Sequence, residues 1–239
     1  MTTIVIGGGP AGLISAYFRA VRGEDVYLIE KNEKPGKKLY ITGKGRCNVT
    51  NDCDVDEFLS NVVTNAKFLN GAIRRFPPEK FMEFLSGKTK LKTERGNRVF
   101  PLSDKASDVT KCLCAYAEEA GAEIKLNEKV LSINASDGKI VSVVTDKAMY
   151  PCDNVIVCTG GLSYPSTGST GDGYAFAKSF GHTIISPVAA LSGVNLKGDF
   201  YKNLQGLSLK NVAISVVNGK KKIYSDFGEM LFTHFGVSG

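Results

Sequence analysis

Histidine is scarce: only His182 and His234 occur, and none of the six cysteines stands in a C-x-x-C pair. Zinc sites are built from clustered thiolates and imidazoles at short spacing, so no metal site is expected. No apolar stretch approaches the roughly 20 residues that a membrane-spanning helix needs. Met1 to Ile6 run straight into a β-branched strand without a basic n-region or a separate apolar h-region. No secretory leader is therefore expected, and the expected compartment is cytoplasmic, with Cys47, Cys53, Cys112, Cys114, Cys152 and Cys158 as reduced thiols. Charge of one sign is not abundant either: 30 Lys and Arg stand against 24 Asp and Glu, a net charge of +6. That mild excess suits an anionic cofactor or substrate as well as nucleic acid. The densest basic stretch, Lys88, Lys90, Lys92, Arg95 and Arg98, lacks an accompanying aromatic or RNA-module signature and reads as a solvated face.

What is present is ordinary globular composition, 43% apolar and 23% charged over 239 residues, enough for one large domain or one domain and part of a second. Thr2 to Ile6 reads as a buried parallel strand, Pro10 to Arg22 as a helix closed by Gly23, and Val26 to Ile29 as a second strand with Glu30 at its end: a βαβ unit. Asn32 to Asn51 is a long Gly/Lys/Asn-rich loop. Short helices follow over Asp56 to Leu85, and another helix lies within Pro101 to Ala120, where Ser103 or Asp104 can cap it. The period then changes. Glu123–Leu126, Lys129–Ile133 and Ile140–Thr145 read as short strands, the last two joined at Asp137-Gly138. Val155 to Cys158 is another buried strand, running into Thr159-Gly160-Gly161, and a helix covers Asp172 to Phe180. Beyond Pro187 helical signals vanish, and Asn218-Gly219 marks a hairpin. The expected boundary divides an N-terminal domain, 1–186, from a β-rich and incomplete second domain, 187–239.

The strongest motif is Gly7-Gly8-Gly9-Pro10-Ala11-Gly12. Gly7 permits a tight turn, Gly9 lets the backbone approach a pyrophosphate, and Gly12 lets the helix pack on the strand. Free N–H groups and the helix dipole then favour phosphate at the helix N-terminus. A lone G-x-G-x-x-G is weak, but here it follows a strand, opens a helix, and precedes Glu30 by 18 residues from Gly12. Glu30 can accept hydrogen bonds from both ribose hydroxyls and would repel a 2′-phosphate.

The order of a long basic loop, helices, an antiparallel meander and a strand ending in Thr-Gly resembles the flavoprotein superfamily built on the glutathione-reductase type of FAD domain. The expected fold is accordingly α/β: an FAD-binding Rossmann domain with a parallel sheet, helices and a small meander, followed by the start of a mostly β substrate domain. The strings Lys34–Leu39 and Thr42–Asn51 are similar to the signature of the BaiN-like flavoproteins, the aminoacetone oxidase family, as are Arg98–Pro101, Thr159–Pro165, Thr167–Gly173 and Phe232–Gly239. The resemblance implies FAD, with Glu30 on the adenosine ribose, Lys38 near the pyrophosphate, the Gly45 to Asn48 segment near the isoalloxazine, and the backbone of Val130 at the adenine. The candidate cofactor-binding set is Gly7, Gly9, Pro10, Ala11, Gly12, Glu30, Lys31, Lys38, Gly45, Arg46, Cys47, Asn48, Val130, Thr159, Gly160, Gly161 and Asp172. No catalytic side chain is singled out. Members of that family continue past the point where this chain stops, which implies the front part of such an enzyme and weak FAD binding by these residues alone.

The expected activity is transfer of a hydride or electron pair between a small organic substrate and the flavin, either amine oxidase-like or NAD(P)H-dependent reductase-like. Only one dinucleotide fingerprint is present, so NAD(P)H would dock transiently as donor. Two alternatives come from other classes. Cys47 and Cys53 could form a redox disulfide, although five residues separate them and their surroundings are loop-like. A non-enzymatic nucleotide-binding module could meet nucleic acid through Lys88 to Arg98.

Overall fold

A continuous β-branched run with no polar–apolar alternation makes β1 (Thr2–Ile6), buried along almost its whole length, as expected of a strand covered on both faces. The structure is a computed structural model describing residues 1–238, and it divides into two compact units, Met1–Ile184 and Ile185–Gly239. In the first unit α1 (Pro10–Ala20) starts with Pro at its first turn, where the missing N–H costs nothing. Gly23 turns the chain at φ +80° into β2 (Asp25–Ile29). The long loop after Glu30 is ordered by a short 3-10 stretch at Leu39–Gly45 and reaches β3 (Thr50–Asn51). Three short helices follow, α2 (Val55–Ser60), α3 (Ala66–Arg75) and α4 (Pro78–Ser86), the last restarting at Pro77-Pro78.

Two strands then depart from the sequence reading. β4 (Leu91–Glu94) and β5 (Arg98–Pro101) pair antiparallel, with β3 on the other side of β5. Half of the basic run is thus a hairpin, turned at Gly96 and Asn97, both at positive φ. The next helix, α5 (Ala106–Glu119), begins later than expected, with Lys105 rather than Ser103 or Asp104 at its cap position. Asp104 stands outside the helix at φ +55°, and its carboxylate accepts from Arg46 and Lys92 rather than from the helix end.

β6 (Glu123–Lys125) pairs parallel to β2, Tyr27 opposite Glu123. A meander follows: β7 (Val130–Ser136), β8 (Lys139–Thr145) and β9 (Met149–Pro151). Asp137 and Gly138 both take positive φ between β7 and β8, the conformation of a two-residue type I′ turn. β10 (Asn154–Val157) returns to β1, giving a four-stranded parallel sheet in the order β10-β1-β2-β6. Side chains alternate across this sheet. Val5 and Leu28 pack with Leu13 and Ala16 of α1 and Leu113 and Ala117 of α5. Ile4, Ile6 and Ile29 pack on the opposite face with Val130 and Val143 of the meander and Phe176 of α6 (Asp172–Ser179). Each fully buried aliphatic side chain contributes about 1.5–3 kcal/mol of transfer free energy, so both faces clamp the sheet and fix the positions of its strand ends.

The second unit has a four-stranded sheet in the order β11-β14-β13-β12, made of β11 (Val194–Asn195), β12 (Ser208–Asn218), β13 (Lys221–Phe232) and β14 (Gly236–Ser238). Asn218 pairs with Lys221, so the two-residue loop is Gly219-Lys220, one residue later than the Asn218-Gly219 reading. Gly219 alone takes the left-handed φ there, +58°.

Candidate functional site

A cavity of about 610 Å³ opens in the first unit at the C-terminal ends of β1, β2 and β10, reached by Ile6, Ile29 and Val157. Ligands of open α/β sheets bind at this end of the strands. Of the residues singled out from sequence, Gly7, Gly9, Pro10, Ala11, Glu30, Lys31, Lys38, Val130, Thr159, Gly160 and Asp172 line it. They arrive from four places: the turn before α1, the end of β2 with its loop, the start of β7, and the loop between β10 and α6.

The glycines have separate geometric reasons. Gly7 takes φ +104°, and a Cβ there would lie 2.5 Å from the carbonyl oxygen of Cys158. At Gly12 a Cβ would lie 1.9 Å from the Gly7 carbonyl oxygen, so this position sets how closely the helix approaches the strand. At Gly9 a Cβ would meet nothing within 4 Å, while the residue itself lines the cavity. Gly9 therefore leaves room for a ligand rather than for the protein. The end of α1 beside it has no side-chain cap and no acidic residue in its first turn, so its unpaired N–H groups remain available to an anion.

Glu30 is buried, 7% exposed, and its carboxylate is held firmly. Oε2 accepts from the Gly8 backbone at 2.7 Å, and Oε1 accepts from Asn32, from its backbone at 2.8 Å and its amide at 2.6 Å. Lys31 donates to Asp172 and Thr170, each at 2.7 Å. Burial raises the Asp172 pKa, but the hydrogen bonds from Lys31 and Thr170 outweigh it and keep the carboxyl below its usual range. Lys38 donates to Ser169 Oγ at 2.6 Å and to the Ser163 carbonyl at 2.7 Å, and burial lowers its pKa. The two lysines thus tie the loop before α6 to the loop after β2 across the cavity.

An adenosine diphosphate moiety fits this donor set. The open space at Gly9, the uncapped helix end, two cavity lysines and a fixed carboxylate at the end of β2 match pyrophosphate and ribose in chemistry. Among the described residues no group of three or more His, Cys, Asp or Glu is placed to hold a metal, and no helix is long and apolar enough to cross a membrane.

Gly45, Arg46, Cys47, Asn48 and Gly161 do not line the cavity, and Gly12 lies behind it. Arg46 donates to Glu94 and, at 2.8 Å, to Asp104, and its guanidinium lies 4.1 Å from the Phe100 ring centroid. Hydrogen bonds to those two carboxylates raise its pKa, and theirs are lowered in return. The Asn48 amide, with its nitrogen facing Val99 and Thr50, donates to both carbonyls. Cys47 is buried, Cys53 half-buried, and all six cysteines are free thiols. Burial pushes the pKa of Cys47 up, and burial with the nearby Glu57, Asp54 and Asp52 pushes that of Cys53 up. In the basic run, Lys88 pairs with Glu119, and Lys92 pairs with Asp104 and Glu94.

Sequence reasoning missed Asn32, Lys37, Glu128, Ser169 and Tyr174 in the cavity wall. Position could have found Glu128, two residues before Val130, and Ser169, inside the Thr167–Gly173 string. Nothing local signals Asn32 or Tyr174.

The parallel sheet, the glycine turn and the meander on the opposite face define a dinucleotide-binding Rossmann domain of the flavoprotein type. The chain belongs to the HI0933-like protein family, whose Rossmann-domain model matches residues 1–236, and this is a family of FAD-dependent oxidoreductases. The chain is 33% identical over 244 residues to a ribosomal RNA dihydrouridine synthase of Haemophilus influenzae, covering 99% of this chain and 58% of that protein. It is 30% identical over 238 residues to the 3-dehydro-bile acid delta(4,6)-reductase of Clostridium scindens, covering 98% of this chain and 57% of that protein. The chain thus spans little more than half the length of these relatives. Among solved structures, the open conformation of a flavocytochrome c3 fumarate reductase matches the fold with a TM-score of 0.62 at 21% identity, over 87% of this chain and 47% of that one.

Proposed function

We propose that the protein is an FAD-dependent reductase that saturates a carbon–carbon double bond conjugated to a carbonyl in a small organic molecule. The observation that carries the cofactor is Gly9: a cavity-lining residue at an uncapped helix end, with open space where a side chain would be. Bound here, FAD would supply a two-electron carrier able to take a hydride from NAD(P)H and deliver it to the substrate. The chain's own residues bind and orient. The N–H groups of the first turn of α1 and the cations Lys31 and Lys38 would hold a pyrophosphate. Glu30 would accept from ribose hydroxyls and disfavour a 2′-phosphate. The backbone of Val130 would meet the adenine. Arg46 and the Gly45–Asn48 segment act toward the ring end as a braced loop rather than as a free cationic hand.

Support for the reductive direction comes from the relatives. A bile acid delta(4,6)-reductase and a dihydrouridine synthase differ widely in substrate size, yet both names describe saturation of a double bond. In balance, one conjugated carbonyl compound, one NAD(P)H and one proton give the saturated carbonyl compound and NAD(P)+. Lys88 and Lys92 are ion-paired within the chain, which lowers the positive charge that this stretch offers to RNA. The test is anaerobic mixing of purified holoprotein with NADH, NADPH and candidate amines, followed by a steroid enone, uridine-containing RNA or air. Bleaching by NAD(P)H and recovery with the enone is the expected result. Bleaching by an amine with recovery only in air would replace this reading with an oxidase, and recovery only with RNA would replace the substrate class.

A further inference from the structure

Glu128 stands just before β7, is 5% exposed, and lines the cavity. Its backbone N–H donates to the Glu30 carbonyl at 3.0 Å, so the two acidic residues are neighbours. One carboxylate oxygen, Oε1, accepts from the Thr145 hydroxyl at 2.7 Å and the Tyr150 hydroxyl at 2.9 Å. Among the described residues no protein donor reaches Oε2 and no cation pairs with the group. Oε2 is not among the fully buried polar atoms left without a partner, so it stands open to the cavity, where a ligand donor can reach it. The two hydroxyls fix one oxygen and thereby orient the other.

The donors that an adenosine moiety offers are its ribose hydroxyls and the exocyclic amino group of adenine. Resting on the FAD reading above, the hydroxyls fall to Glu30. The amino group is left, on the side of the cavity where Val130 follows Glu128 by two residues. We propose that Glu128 is a specificity residue of the cofactor site, whose Oε2 accepts a hydrogen bond from the exocyclic amino group of the purine. A purine with a carbonyl at that position would turn an acceptor toward the carboxylate, and the two would repel.

The test compares ADP with IDP as competitors for FAD on the purified protein, followed by flavin fluorescence. Wild type is expected to prefer ADP by about tenfold to a hundredfold, the range of one hydrogen bond to a charged group. Glu128→Gln keeps an acceptor for Thr145 and Tyr150 and places an amide N–H₂ where Oε2 was. In this variant the preference should vanish or reverse toward IDP. Equal competition by ADP and IDP in wild type, which requires no variant to fold, overturns the assignment while leaving the FAD reading standing. So does full ADP preference retained in Glu128→Gln. Failure of both nucleotides to compete overturns the FAD reading and this inference with it.

Discussion

The chain has two glycine-rich stretches in its first 50 residues, and the protein uses them in opposite ways. In Gly7 to Gly12 the backbone folds tightly at both ends so that its middle, Gly9, can stand open to a ligand. In Gly43 to Asn48 the backbone folds onto itself: Gly43, Lys44, Gly45 and Cys47 all take positive φ. A Cβ at Gly43 would lie 2.9 Å from the Asn48 nitrogen and 3.2 Å from the Phe100 ring. Left-handed non-glycine residues such as Lys44 and Cys47 persist only where the surroundings over-determine them, and here Arg46, gripped by Glu94 and Asp104 over Phe100, supplies that restraint. Glycine content alone does not mark a binding loop. What marks it is the space around each missing side chain.

The largest effects should separate the glycines within the first stretch. Gly9 has φ −73° and ψ 178°, a conformation open to any residue. Gly9→Val should therefore fold with a near-normal Tm and lose flavin by at least about a hundredfold, or 3 kcal/mol. Gly12→Ala should do the reverse, losing more than about 3 kcal/mol of stability through overpacking against the Gly7 carbonyl. Mass spectrometry of released cofactor, with thermal melts of both variants, reads the outcome. A yellow Gly9→Val protein, or release of FMN alone from wild type, would mean that the phosphates lie elsewhere.

The brace around Arg46 should show itself through pH. Folding depresses the pKa values of Glu94 and Asp104, chiefly by hydrogen bonds from Arg46 to Glu94 and from Lys92 and Arg46 to Asp104. A carboxylate depressed in the folded state adds stability above its unfolded pKa, and that stability is lost as pH falls through the folded value. Wild type should therefore melt above Arg46→Ala at pH 7, and the two Tm curves should converge as pH drops below about 4. Parallel curves down to strongly acidic pH would show that the ion pairs contribute nothing. These groups are solvent-accessible, so the gap should be modest and should narrow in salt.

How much of this was legible follows from the range of the interactions involved. The βαβ unit, Glu30 at the end of β2 and the Asp137-Gly138 turn rest on neighbours in sequence, and the sequence carried them. β4 and β5 were read as a basic surface because the strands are short and carry Lys92 and Arg98 within a basic run; the Gly96-Asn97 pair was the available signal. Asp104 stands outside α5 with its carboxylate accepting from Arg46, 58 residues away, a contact no local pattern reveals. Glu128 was passed over for the same reason: its meaning comes from Thr145 and Tyr150, which only the meander brings to it.

The smallest expected effect concerns the thiols, and it sharpens the contrast between an open stretch and a closed one. Cys47 is 1% exposed and belongs to the closed stretch. Burial raises its pKa, with a hydrogen bond involving Thr42 offsetting part of the shift, and Cys53 is raised by burial and by three neighbouring carboxylates. A raised pKa means less thiolate at neutral pH, the opposite of what thiol–disulfide exchange requires. Iodoacetamide at pH 8 should label Cys47 only after unfolding, and Cys53 only slowly in the native protein. Cys47→Ala and Cys53→Ala should each leave turnover per bound flavin within about twofold, under about 0.5 kcal/mol in the barrier. The closed stretch would then act through its backbone and Arg46 rather than through a sulfur. Rapid native labelling of Cys47, or loss of turnover in both variants with flavin retained, would instead give the two thiols a redox role and make this loop part of the chemistry.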